Sequence, residues 1–210
     1  MEELQSFLKI HSTVEVAQFL VGMYLEHETA KGKLGGYIVD CEAYLGPDDQ
    51  AAHSYGMRQT PRLKAMYQEA GTIYLYTMHT HLILNIITET AGIPQGVMIR
   101  ALQPVAGIKQ MEENRGKTGV ALSNGPGKLV QALGITRDLY GHSIFTSPLR
   151  LVTEKRKQPK KIQSLARIGI PNKDKWTEMP LRFVAAGNPY ITNIRKSQIS
   201  TDYGWQKEQH

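Results

Sequence analysis

One cysteine in 210 residues, Cys41, is too few for an internal disulfide or a cysteine-based metal cluster, and fits a reducing, intracellular compartment. No apolar run approaches the roughly 20 residues of a membrane-spanning helix. The N-terminal MEELQSFLKIHS is acidic and amphipathic. It lacks the basic start and apolar stretch of a secretory signal. Low-complexity tracts and internal repeats are also missing. These absences exclude disulfide-stapled, membrane-spanning and repeat architectures. A chain of this length, with 41% hydrophobic and 21% charged residues, is expected to form one domain over residues 1–210 with a substantial core.

Acidic charge is in deficit. Twenty-five Lys and Arg against nineteen Asp and Glu leave +6, which favours polyanionic partners such as nucleic acid. Five of the cations, Lys155, Arg156, Lys157, Lys160 and Lys161, cluster around Pro159. Taken alone this is a solvated basic loop; in a protein that touches DNA it is a phosphate-contacting one, without sequence specificity.

The pattern of elements is mixed. Residues 2–9 form a short helix, and Ser12 with Glu15 makes a capping box opening a second helix to about Val21. MYLEH and LGGYIVDCEAY are strands joined by the turn-prone ETAKGK. PRLKAMYQ is predicted as a helix opened by Pro61, and GTIYLYTMHTHLILNII as two strands turning near His79 and Thr80. GVMIRALQP is a further strand, VAGIKQMEENRG and GPGKLVQALGI are helices, and short strands including LRFVAAG return after residue 143. Without strand–helix–strand alternation the expected class is α+β rather than doubly wound.

Residues 37–62, YIVDCEAYLGPDDQAAHSYGMRQTPR, carry the chemistry. Residues two apart on a strand share a face, so Glu42 and Tyr44 point the same way: an acid beside an aromatic plate. That pairing suits an enzyme that grips a flat ring and directs a water molecule. On position alone Glu42 is more often a strand-end residue facing solvent or paired to an arginine. His53 is more often structural, and Tyr44 and Tyr76 more often core packing. Asp40, Glu42, Asp48, Asp49 and His53 also read as a metal cluster, although their spacing matches no EF-hand loop and no second histidine stands at ligand spacing. No metal and no cofactor is expected. Cys41 alternates away from Glu42 as a small core residue.

The segment closely resembles the active-site stretch of the alkyladenine (3-methyladenine) DNA glycosylase family. CEAYLGPDDQAAHSYGMRQTPR, AGTIYLY, VMIRALQP, LSNGPGKLVQALGI, RIGI and PLRF follow in the family's order over roughly residues 35–187. The resemblance implies a single compact α+β domain, a curved, mainly antiparallel sheet with flanking helices, unrelated to helix-hairpin-helix glycosylases. It implies a monofunctional enzyme that flips 3-methyladenine, 7-methylguanine, hypoxanthine or ethenoadenine out of duplex DNA and hydrolyses the N-glycosidic bond, leaving an abasic site for base excision repair. A monomer acting on double-stranded DNA, off the membrane, in the cytoplasm (at the nucleoid) or the nucleus, is expected.

Carried over by position, Glu42 would be the general base that aims a water at the anomeric carbon. Arg100 and the backbone carbonyl of Ile168 would hold water and carboxylate. Tyr44, Tyr76 and His53 would sandwich the flipped base, with the His53 amide on its edge, and Asn85 would crowd the exocyclic amine of a normal guanine. Lys128, after Gly125-Pro126-Gly127, would meet a phosphate at a helix start; Arg58 and Arg62 are further phosphate-binding candidates. No lysine is placed as an amine nucleophile.

The chain departs from the family pattern after Tyr76. Where the family carries an aromatic wedge, Thr77-Met78-His79-Thr80-His81 stands here, and the stretch before Asn85 is one residue short. His79 is the first candidate for the intercalating wedge and Met78 the second. Two alternative readings remain at this stage: a metal-dependent nuclease using the Asp/Glu/His group, and a non-catalytic DNA-binding module.

Overall fold

The computed structural model describes residues 2–207. Helices α1 (Glu2–Ile10) and α2 (Thr13–Leu20) come first. Ser12 opens α2 with the anticipated capping box: its hydroxyl accepts from the Glu15 amide, and the Glu15 carboxylate accepts from the Ser12 amide at 2.9 Å. Thr13, Val16, Ala17 and Leu20, spaced three and four apart, bury one face of α2.

An antiparallel hairpin follows, β1 (Tyr24–Thr29) and β2 (Gly32–Tyr44), then a second, β3 (Ile73–Met78) and β4 (His81–Ile87), and the long β5 (Gly96–Ala106). Helices α3 (Ile108–Arg115) and α4 (Pro126–Ala132) precede the short strands β6 (Leu149–Val152), β7 (Ile162–Leu165) and β8 (Arg182–Ala185). The strands form one eight-stranded antiparallel sheet in the order β3-β4-β5-β2-β1-β6, with β8 joining β2 to β7. The fold class is α+β. No helix among the described residues is long and apolar enough to cross a membrane.

The geometry of β2 positions the site. One edge pairs with β5 along its length; the other pairs with β1 over residues 32–37 and then with β8 over 40–42. The exchange of partners is made possible by irregular register at Ile38–Cys41, where a bulge bends the strand and re-aims the side chains beyond it. Glu42 thus sits between Met98 on β5 and Arg182 on β8, fully buried. Cys41 faces the apolar core, and burial pushes its thiol up.

Two helix predictions are corrected. Pro61–Tyr67 is a 3₁₀ segment rather than an α-helix. Its backbone is held from outside instead, where the Tyr140 hydroxyl accepts from the Ala65 amide. The segment from Val105 does not start helical either: β5 runs to Ala106, Gly107 turns with φ +70°, and α3 begins at Ile108. Strand pairing with Gly35 outweighs local helix preference there.

Glu26 on β1 is a second buried carboxylate, ringed by Arg150 at 2.7 Å, Lys155 at 2.9 Å and Lys33 at 3.6 Å. Burial pushes its carboxyl up, but hydrogen bonds from Lys155 and Arg150 outweigh burial and hold it at about 2. The stabilisation is therefore complete above the ordinary value of 4.5 and is lost as pH falls through about 2. All three cations are substantially exposed, so solvent screening cuts the effect to roughly 1–2 kcal/mol. Glu26→Gln is expected to lose that much at pH 6 and progressively less as the pH falls to about 2, read from urea midpoints; a pH-independent loss would show that the ion pairs are not its source.

Candidate active site

A single cavity gathers most of the residues singled out in the sequence. It measures about 150 Å³ and is lined by Tyr44, His53, Tyr74, Tyr76, Met78, Asn85, Met98, Arg100 and Ile168 among others. An apolar cavity near 150 Å³ accepts one small aromatic ring. Behind the lining lies Glu42. Its Oε1 receives the Ile168 amide at 2.8 Å and the Arg100 guanidinium at 3.0 Å, while its Oε2 accepts from the Tyr44 hydroxyl at 2.9 Å. The Ile168 contact to the carboxylate is made by its N–H, which leaves its carbonyl free of Glu42.

These bonds define how the carboxylate can act. A carboxylate oxygen carries two lone pairs. Oε1 has one hydrogen-bond donor, the Ile168 amide, with the Arg100 guanidinium beside it as an ion pair, and Oε2 has one donor and one lone pair left. Burial pushes the Glu42 carboxyl above its ordinary value, opposed by Arg100 and then by the Ile168 amide. The result is a base stronger than an exposed glutamate, with one oxygen able to take a proton. Arg100 itself is buried, and its Nε finds no hydrogen-bond partner among the described residues.

The aromatic groups are pinned from outside the cavity. Arg167 lies over the Tyr44 ring at 4.7 Å, so the ring offers only its other face. The Tyr74 hydroxyl is 3.0 Å from His53 Nδ1. Burial, then Arg62 and Arg58, lower the His53 pKa, which keeps the imidazole neutral at neutral pH. Burial likewise pushes the Tyr76 hydroxyl up to about 12. His53 meets Tyr76 edge-on, at 4.5 Å and 79°. Asn85 is fixed in β4 opposite Tyr74 and Met98, and its amide donates to the Tyr74 carbonyl at 3.2 Å. The shortened hairpin thus leaves Asn85 on the cavity wall.

The hairpin separates the two wedge candidates. His79 occupies the turn with φ +53°, away from the cavity lining, while Met78 borders the cavity and is 43% exposed. Of the two candidates, Met78 is the one that lines the cavity. Lys128 stands on the same side, because α4 approaches so closely that a Cβ on Gly127 would lie 2.6 Å from His81. Its ammonium is held by Asn124 at 2.8 Å. Arg58 and Arg62 flank His53 as cations.

Sequence reasoning missed the support behind the site. Arg167 is wholly buried and donates to both oxygens of Asp49, at 2.5 and 2.9 Å, and to the Ala43 carbonyl at 3.1 Å. Asp49 accepts in addition from the Leu45 and Ala51 amides. Asp40 is taken by Arg182 in a similar two-point pair. Three of the four carboxylates of the supposed metal group, those of Asp40, Glu42 and Asp49, therefore face three different arginines, and no cluster of three potential ligands occurs among the described residues. Only the placement of Arg167 next to Ile168 hinted at its role. Arg137, which donates to the Thr77 hydroxyl beside the hairpin, left no sequence signal.

Comparison with known proteins follows from this geometry. A sequence profile of the family described as Methylpurine-DNA glycosylase (MPG) matches residues 6–189. Proteins named "Putative 3-methyladenine DNA glycosylase" are similar across nearly the whole chain. The one from Enterococcus faecalis is 65% identical, covering 100% of this chain and 93% of its own. Those of Listeria welshimeri (49% identical, covering 97% and 100%) and Staphylococcus carnosus (46%, covering 93% and 96%) are alike in extent.

Proposed function

The chain belongs to the methylpurine-DNA glycosylase family, and from that premise we propose that it flips alkylated or deaminated purines out of duplex DNA and hydrolyses their N-glycosidic bond with a water activated by Glu42. The substrates are of the 3-methyladenine, 7-methylguanine, hypoxanthine and ethenoadenine class, and the product is an uncut abasic site. The observation that carries the reading is the buried Glu42 carboxylate, fixed by two hydrogen bonds and the Arg100 ion pair immediately behind an aromatic cavity.

The reaction needs each part. A stacked base hides its glycosidic bond, so the nucleotide must be extruded into a pocket before attack. The water donates to the remaining lone pair of Glu42 Oε2, and its oxygen attacks the anomeric carbon as the bond to the purine nitrogen breaks. The proton passes to Glu42, and the purine leaves with the bonding electron pair. For a purine alkylated at N3 or N7 those electrons neutralise an existing positive charge, so no acid is required. The anionic carboxylate also stabilises the oxocarbenium-like sugar. The open face of Tyr44 and the Tyr76 ring bind a cationic purine by stacking and cation–π attraction, about 0.5–2 kcal/mol for the latter. Residues 1–210 work as a single-domain monomer in this proposal. Met78 fills the gap left by the base, and Lys128, Arg58 and Arg62 hold the backbone.

The test is base release in EDTA from methylated DNA and from a duplex with one hypoxanthine. Release with strands intact until alkali is expected. No release from either substrate, or cutting that depends on added metal, would remove the proposal. In the same assay the double variant Met78→Ala/His79→Ala is expected to slow single-turnover release roughly tenfold, because unstacking one step costs a few kcal/mol; an unchanged rate would remove the hairpin from the wedge role.

A further inference from the structure

Next to the cavity lies a second, shallower concavity of about 440 Å³, of whose lining the roles above use only His53 and Arg58. It shares Ala51, His53 and Gly169 with the first, and adds Tyr55, Arg58 and Lys173. Tyr55 is half exposed at a tip that continues into Met57, which is exposed to the same degree. That tip is held open by left-handed backbone at Gly56 (φ +65°) and Met57 (φ +59°). The opposite wall is strained as well: Lys173 stands between Asn172 at φ +54° and Asp174 at φ +46°. Non-glycine residues in this region are uncommon and cluster where a ligand is met. Arg58 and Lys173 are exposed and form no side-chain ion pair among the described residues. The nearby carboxylate of Asp174 is engaged by the Gln50 amide at 3.3 Å.

We propose that this groove is a nucleotide subsite, occupied by the neighbour of the extruded nucleotide on the same strand. Tyr55 stacks its base, and Arg58 and Lys173 meet its phosphates. The inference rests on the glycosylase reading and assigns it a further contact. An exposed aromatic plate between two cations is the arrangement that binds a single nucleic-acid strand without reading its sequence. The shared wall at Ala51, His53, Gly169 and Ile170 makes the two occupants direct neighbours, which ties the groove to the lesion strand. The complementary strand has no such continuity with that wall.

A binding cycle tests this. Affinities are measured by fluorescence anisotropy on duplexes with an uncleavable tetrahydrofuran at the lesion position. A second tetrahydrofuran replaces the 5′ neighbour, the 3′ neighbour or a nucleotide of the complementary strand. Stacking of one base predicts that the wild type loses roughly 5- to 100-fold when one lesion-strand neighbour lacks its base. Tyr55→Ala should show that loss with the neighbour intact and no further loss with the spacer. Lys173→Ala should weaken all duplexes alike and lower the salt slope by about one unit. Equal losses in wild type and Tyr55→Ala at both neighbours, or coupling confined to the complementary strand, would overturn the subsite. Base release by the same wild-type preparation separates the two ideas: its absence would strike the glycosylase reading, whereas release without coupling strikes the groove alone. Tyr55 is clear of the core, so its replacement leaves the fold intact.

Discussion

Glu42→Gln is expected to lower single-turnover base release by about 10²- to 10⁴-fold, the range associated with one general base. The amide keeps an acceptor for the Ile168 N–H and Arg100 but cannot take a proton from water. The pH dependence makes the assignment specific. Burial sets the Glu42 carboxyl above 4.5, so the acid limb of the wild-type rate profile should lie above that value, the active form being the deprotonated one. In Glu42→Gln that limb should vanish from the residual rate. The same upward shift means that this carboxyl's contribution to stability is present below 4.5 and lost as pH rises through the folded value. The glutamine variant should therefore stay folded at neutral pH, which near-UV circular dichroism checks. A folded Glu42→Gln protein with wild-type release would end the mechanism. Residual activity retaining the acid limb would assign that limb to a group other than Glu42.

Arg167→Met is expected to have the largest effect on stability, about 3–5 kcal/mol, as when one member of a buried ion pair is removed. The Asp49 carboxylate would be left buried with only the Leu45 and Ala51 amides, and the Ala43 carbonyl would lose its donor. For a chain of this size that corresponds to a fall in Tm of roughly 10 °C. Activity should fall further than stability explains. Arg167 backs the Tyr44 ring and adjoins Ile168, whose amide holds Glu42, so its loss frees both hydrogen-bond donors to the carboxylate and leaves the Arg100 ion pair. Arg167→Lys keeps the charge but not the two-point geometry, and should fall between wild type and methionine. Urea unfolding with parallel rate measurements below the transition tests both parts. A loss under about 1 kcal/mol, or a rate unchanged in the folded variant, would show that the pair is not what holds the site.

The two variants probe layers that differ in how far the sequence disclosed them. Local rules made the capping box at Ser12 and Glu15, the hairpins and the sharing of a face by Glu42 and Tyr44 readable, because each depends on residues a few positions apart. The block order carried Arg100, Tyr76, His53, Asn85 and Ile168 as candidates, and the fold brings all of them to one cavity. Where local preference met pairing with a distant strand, the local reading failed, as at Val105 and Ala106.

What the sequence determined by itself is the α+β class, the family and the set of groups from which a site can be built. Tertiary structure alone decided which atom of Ile168 faces the carboxylate, that Met78 rather than His79 borders the cavity, and that Arg167 and Asp49 stand behind it. Those outcomes depend on contacts between residues more than a hundred positions apart, such as Ile168 with Glu42 and Arg167 with Asp49. A buried arginine and an exposed one are identical letters; only the packed chain, through desolvation and the demand that every buried charge find a partner, makes one of them a structural clamp.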